Sequence, residues 1–270
     1  MKAGAPEEGP VHGTPPHSGG AQATVWLILC HAYDASSHWL SQALRNRDVR
    51  GVEMLSADEL PYALRWKHFL NSQSVSVEFE LNGGRVYRSS QIDGVINRID
   101  HVDPQVWHRS THGDREYVLQ ELSAFYSSWL FALPCPVYNP PDPLCLSGKF
   151  RTQAEWTVLA GKAGLPAAAF HTNSNRGEVR DFGGSARGEQ GAGLLSLLAF
   201  REKVFGPPVG SALREGCAKL AFLSGCPILG IDFHVTKDRE LTFACARTMP
   251  DFRIGGALFV EELAQRMGPG

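Results

Sequence analysis

The run Gly230-Ile231-Asp232-Phe233-His234-Val235, a charged turn from Thr236 to Glu240, and the run Leu241-Thr242-Phe243-Ala244-Cys245-Ala246-Arg247, closing on Met249-Pro250-Asp251-Phe252, decide how this chain is read. Two short apolar runs joined by a polar turn form a β-hairpin. If the turn sets residue 232 across from residue 245, Asp232 and Cys245 project from one face, because cross-strand partners do. A carboxylate there is a candidate ligand for a divalent metal. Alone it makes a poor Mg²⁺ site, because magnesium wants a near-octahedral oxygen shell completed by phosphate and water.

Working outward, Ser211 is a candidate N-cap for a helix that carries Leu213, Cys217, Leu220, Ala221 and Leu223 on one side and ends at Gly225. Before it, Leu194–Phe200 and Val204–Gly206 flank Arg201-Glu202-Lys203 as strand, turn and strand. After the hairpin, 255–267 reads as an amphipathic helix with Leu258, Phe259, Leu263 and Met267 inward. The interval 170–193, rich in Gly, Asn, Ser and Arg, reads as a flexible loop. Its Arg176, Arg180 and Arg187 are candidate anion contacts, each costly in ordering entropy.

The first half opens as an α/β lobe. Thr24–Cys30 is a buried-strand pattern, Ser36 or Ser37 can cap a helix through Trp39, Leu40, Ala43 and Leu44, and Gly51–Leu55 fits a second strand. Ser74–Leu81 alternates apolar and polar residues, Asn82-Gly83-Gly84 supplies turn residues, and Arg85-Val86-Tyr87 starts the return strand. Ile92–Ile99 is a further buried strand; Arg98 at its end is open to either an anionic substrate or a strand-end salt bridge. Residues 114–133 form a long helix with Asp114 as N-cap, ended by the prolines of 134–141. Ser147-Gly148-Lys149 precedes a helix from Ala154 to Ala163 that stops at Gly164; by itself a lone Gly-Lys is a weak phosphate signal.

Taken together, the Gly-Ile-Asp-Phe hairpin closing on Met-Pro-Asp-Phe, the Ile-Asp-Gly-Val-Ile-Asn-Arg strand, and the order Asn139-Pro140-Pro141, Lys149, Ala163-Gly164-Leu165-Pro166 resemble the ATP-grasp superfamily, in its ribosomal-protein-modification and peptide-ligating branch. The resemblance spans roughly residues 24–267. It implies an α/β fold with an N-terminal lobe over 23–112 and a reduced ATP-grasp-like region over 113–270, comprising a small lobe and a C-terminal antiparallel-sheet lobe. It implies ATP and Mg²⁺ as cofactors, Lys149 on the nucleotide phosphates, Asp232 on magnesium, and Arg98 or Arg247 on a carboxylate or acyl phosphate. In the family the second hairpin strand offers a Glu-x-Asn pair to the metal; here those positions are Cys245 and Arg247. The family also places two further strands, a clamp and a second phosphate lysine where this chain has its Gly-rich interval.

Composition limits the function classes. With 43% hydrophobic and 20% charged residues and a net charge of -2, the 270-residue chain lacks the basic bias of a nucleic-acid binder. No apolar run is long enough to span a bilayer. Residues 1–22, rich in Gly, Pro, Ala and His, read as a disordered tail rather than a secretory signal. Six cysteines without a CxxC pair read as free thiols in a reducing cytoplasm. His101, His108 and His112 cluster in sequence, but their spacing guarantees neither converging ligands nor an outer shell, so solvated loop histidines are the simpler expectation.

The expectation is therefore a divergent ATP-grasp-like protein with weakened or lost carboxylate-amine ligase activity, kept as a binding scaffold for a peptide or protein. The alternatives are an active ligase that joins a carboxylate to an amine through an acyl phosphate, and an unrelated α/β domain. Arg247 carries a specific expectation: a cation in a metal ligand's place can neutralise phosphate directly.

Overall fold

The computed structural model describes residues 24–102, 111–168 and 193–268. The expected tail over 1–22, the interval 170–192 with Arg176, Arg180 and Arg187, and His108 lie outside the described residues.

The first sheet is parallel and holds β1 (Val25–Cys30), β2 (Val52–Ser56), β6 (Ile92–Asn97) and β7 (Val137–Tyr138), in the order β2-β1-β6-β7. The helix α1 (Ala35–Arg45) crosses from β1 to β2 and completes the expected strand-helix-strand opening. A second, antiparallel sheet of β3 (Arg65–Leu70), β4 (Val75–Glu80) and β5 (Val86–Arg88) carries the expected hairpin. Its first strand, Arg65-Trp66-Lys67-His68-Phe69-Leu70, has no sustained apolar alternation, and most of it is exposed. The long helix α2 (His112–Ala132) covers this sheet, where Trp66 meets the rings of Phe79, Tyr126 and Trp129, and Trp129 meets those of Phe79 and Tyr126, at centroid distances of 4.5 to 6.5 Å. Such clusters add about 0.5–1.5 kcal/mol per pair beyond area burial.

The C-terminal half contains α3 (Gln153–Ala163), β8 (Gly193–Phe200), β9 (Lys203–Phe205), α4 (Ser211–Ser224), β10 (Ile228–Val235), β11 (Leu241–Arg247) and α5 (Gly256–Met267). The sheet order β11-β10-β8-β9 is antiparallel throughout. One face packs Leu197, Ile231 and Phe233 against α3 and α4, while Leu198, Phe200 and Ile228 on the other face join a core shared with Trp26, Ile28 and Tyr138 of the first sheet. The fold is mixed α/β, as the sequence implies.

Three N-caps differ from expectation. Asp34, not Ser36 or Ser37, caps α1, accepting from both serine amides at 3.0 and 3.2 Å. Thr111 caps α2 in place of Asp114, and Gly210 caps α4, leaving Ser211 inside the helix. Asp34 and Thr111, two to three residues before the expected caps, have the extended backbone that a cap needs and bond the first-turn amides, whereas Gly210 has this backbone without a side-chain bond.

Buried Asn139 fixes the two large sheets to each other. Its φ of 57° lies in the left-handed region that asparagine tolerates. Its amide donates to Ile228 O at 2.8 Å and Thr248 O at 2.6 Å, and its carbonyl oxygen accepts from Ile228 N at 3.0 Å. Asn97 in turn donates to Asn139 O and Leu146 O at 2.9 and 2.6 Å. The segment leading to Lys149 is thereby held against the hairpin.

Candidate functional site

On the hairpin Asp232 faces Cys245, and on its other side Asp232 faces Ser196 of β8. The register slips between Asp232 and Phe233, so a bulge lies beside the acid; bulges re-aim side chains and increase local twist. Gln153 of α3 donates to Ala244 O at 2.6 Å, on the bulged strand.

Asp232 is buried, and its oxygens are well occupied. Oδ1 accepts from Ser196 Oγ at 2.6 Å; Oδ2 meets Arg247 Nη2 at 2.6 Å and accepts from Cys245 Sγ at 3.3 Å. Burial, then the hydrogen bond to Asp232, pushes the Cys245 thiol up to about 11, so at neutral pH it stays protonated and donates. Arg247 follows Cys245 by two residues and therefore lies on the same face.

Lys149 follows Gly148, whose φ of 103° favours glycine and where a Cβ would stand 3.1 Å from the Thr248 side chain. The Lys149 stem lies across Gly225, the left-handed C-cap of α4. Asp142 shapes the preceding turn, accepting from the amides of Leu144, Cys145 and Phe150 at 2.8, 2.9 and 3.2 Å. Lys149, Arg151 and Arg247 together line a pocket of about 280 Å³, with Trp156 and Met249 among its walls. Among the described residues no acidic side chain lines it, and Asp232 meets it only through Arg247. Arg151 is itself anchored, donating to Ser224 O at 2.8 Å and lying 5.6 Å from the Trp156 ring centre. An electropositive recess of this size suits a phosphate or carboxylate.

Arg98 lies elsewhere. Its guanidinium is buried, donating from Nε to Asp34 Oδ2 at 2.6 Å, from Nη2 to Asp34 Oδ1 at 3.3 Å and from Nη1 to Pro250 O at 2.7 Å, over the Phe252 ring at 4.5 Å. Phe252 N donates to Ser36 Oγ at 2.8 Å at the same seam. Burial pushes the Asp34 carboxyl up, but the Arg98 bond and charge outweigh it, helped by Ser37, and hold it below the usual range. Of the two readings open for Arg98, the salt bridge is the one with visible partners.

The sequence missed several polar contributors, namely Ser196, Arg151 and Asp34, because each acquires its role from a partner brought near only by folding. The histidine cluster also rearranges. His112 lies on α2 beside Glu116 at 3.7 Å, whereas His101 pairs with Asp100, which also meets His31. All six cysteines are free, as expected. Among the described residues no helix is long and apolar enough to cross a membrane.

Several solved structures match this architecture over nearly the whole chain. The macrocyclase MdnC of Microcystis aeruginosa MRC, bound with the precursor peptide MdnA, aligns with a TM-score of 0.70 at 13% identity, covering 90% of this chain and 100% of that one. A RiPP-associated ATP-grasp ligase of Chryseobacterium gregarium, in complex with ADP and a leader and core peptide, aligns at 0.68 with 10% identity over 91% and 98%. The ATP-grasp ligase PsnB, complexed with minimal precursor, Mg and ADP, aligns at 0.59 with 14% identity over 90% and 96%. The chain has the ATP-grasp fold, in the form these peptide ligases share. No protein-family model matches the sequence, and no curated protein matches it.

Proposed function

We propose that this protein is an ATP-grasp-like peptide-binding scaffold whose metal-dependent ligase chemistry is weakened or lost. The observation that carries this reading is the Arg247–Asp232 pair at 2.6 Å. Magnesium needs several oxygen ligands. Here the one hairpin carboxylate already meets a guanidinium, a hydroxyl and a protonated thiol. The donor set does not fit magnesium.

The cationic pocket supports retention of anion binding. Lys149 and Arg247 fit a phosphate of ATP or a carboxylate of a peptide, with Arg151 supporting from the α3 side. A peptide is the favoured partner class because MdnC and the Chryseobacterium ligase are each seen with peptide bound. A reducing, cytoplasmic setting suits the six free thiols. The second reading, an active ligase in which Lys149 and Arg247 neutralise the phosphates of ATP and of an acyl phosphate, draws on the same pocket. Of the two arginines assigned to the carboxylate or acyl phosphate, Arg247 is the one on that pocket, while Arg98 is engaged by Asp34 and Pro250.

The experiment is a reconstruction. The Cys245→Glu, Arg247→Asn double variant restores the family's Glu-x-Asn pair and should acquire magnesium-dependent ATP binding that the native chain lacks, measured by calorimetry. Magnesium-dependent binding already present in the native chain, with ADP formed on adding a peptide carboxylate and an amine, would favour the active ligase instead.

A further inference from the structure

Three neighbouring parallel strands deliver polar side chains to one edge of the first sheet. His31 follows β1, Asp58 follows β2, and Asp100 and His101 follow β6. Carboxyl ends of parallel strands are where open α/β sheets place ligands. This group is separate from the hairpin pocket and shares no residue with it.

His31 is 4% exposed and has a carboxylate on each ring nitrogen: Asp58 Oδ1 at 3.2 Å from Nδ1 and Asp100 Oδ1 at 2.9 Å from Nε2. His101 Nδ1 reaches the same Asp100 oxygen at 2.6 Å, and the two imidazoles stack at 4.3 Å. A neutral imidazole has only one N–H, and an ionised carboxylate only accepts. Two carboxylates on one buried ring therefore call for a second positive centre, either a proton or a metal ion.

Asp58 is built to hold the Nδ1 side. Its Oδ2 accepts from the Ala32 amide at 3.0 Å and from Ser56 Oγ at 3.2 Å, which fixes the carboxylate facing the ring. A carboxylate orienting the far nitrogen of a histidine is the usual outer partner of a metal ligand. On the other side, His31 Nε2, Asp100 Oδ1 and His101 Nδ1 offer one ligand atom each, all within 4.8 Å of one another. In a tetrahedral zinc site with bonds near 2.0–2.1 Å, ligand atoms stand about 3.3–3.4 Å apart. The present separations of 2.9 and 2.6 Å would open by about 0.4 and 0.7 Å to reach that spacing, and His101, half exposed, would turn out of its stack on His31 to aim its nitrogen at the ion.

We infer that His31, Asp100 and His101 form a site for a first-row divalent metal of the zinc class, with Asp58 orienting His31. Two nitrogens and one oxygen suit zinc better than magnesium or calcium, which prefer oxygen alone. Asp100 and His101 also border a recess of about 660 Å³ between α2 and the 142–146 turn, walled by Leu119, Phe131 and Leu144. The fourth coordination position would face that recess, leaving room for water or for a carboxylate from a bound ligand.

The test uses the full chain, stripped by chelator and equilibrated with Zn²⁺ or Co²⁺. Retained zinc is measured by plasma mass spectrometry, and the geometry by the visible d–d absorption of Co²⁺. The native protein should retain one zinc per chain and give an intense tetrahedral cobalt spectrum. His101→Ala, at a half-exposed position, should weaken zinc binding at least tenfold and abolish that spectrum. Asp58→Asn should weaken it about 10- to 100-fold, the range for outer partners. His112→Ala, in the sequence cluster but outside the site, should change neither. Zinc retained equally by native protein and His101→Ala, or lost equally in His101→Ala and His112→Ala, would overturn the assignment, as would a native chain that holds no zinc.

Discussion

At the seam between the first sheet and the segment after the hairpin, Arg98 pairs with Asp34, the arginine side chain 8% and the aspartate 15% exposed. On the hairpin, Arg247 pairs with Asp232 at the same 2.6 Å, but here the arginine is 50% and the aspartate 3% exposed. In the first pair the cation is sealed in, its donors taken by Asp34 and Pro250 and its face by Phe252. In the second the acid is sealed and the cation stands over a pocket shared with Lys149. The side of the pair that is buried decides its use, since a sealed guanidinium can only hold structure while one with free faces can also receive an anion.

Breaking the first pair should have the larger effect. Arg98→Ala strands a mostly buried carboxylate and the Pro250 carbonyl, and should cost about 3–5 kcal/mol in urea unfolding. A cost under about 1 kcal/mol would show that the seam is not held by this arginine. Arg247→Ala should cost less, about 1–2 kcal/mol, because water can reach the Asp232 side once the half-exposed guanidinium is gone. It should also weaken ATP binding; unchanged nucleotide affinity would count heavily against Arg247 as a phosphate-binding cation.

Acidity sharpens the contrast at smaller amplitude. The Asp34 carboxyl is held below its usual range in the folded state. Its contribution to stability is therefore fully present above an unfolded pKa of about 3.9 and is lost as pH falls through the lower folded value. In Arg98→Ala the two values draw together, and this part of the acid limb should flatten in denaturation curves taken between about pH 2 and 5. Smallest of all is the cap beside the pocket. Thr152 and Glu155 form a capping box at the start of α3, and Thr152→Ala should cost about 1 kcal/mol while leaving anion affinity intact. A matching loss of affinity would mean that α3 positions Arg151 more directly than the pocket implies.

The hairpin was legible as two apolar runs about a charged turn, but alternation counted back from Val235 opposite Leu241 would set Ala244 across from Asp232, and it is the bulge that puts Cys245 there. Arg247 itself was also visible, at the position where the resemblance implies an Asn. Its closure onto Asp232 was not, because a diagonal pair depends on a bulge that periodicity does not reveal. The fold order survived translation into structure for the same reason that the caps did not. Apolar periodicity averages over many residues, whereas a cap is decided by one backbone angle at Asp34 or Thr111. The Arg98–Asp34 and His31–Asp100 contacts each span more than sixty positions, and no local pattern announces them.

The most direct test of the central claim, that Arg247 stands where a metal would and leaves Asp232 closed to magnesium, is calorimetric titration of the native chain with ATP, with and without Mg²⁺. The account predicts ATP affinity that magnesium does not strengthen. A tenfold or greater gain on adding magnesium, abolished by Asp232→Asn, would contradict it.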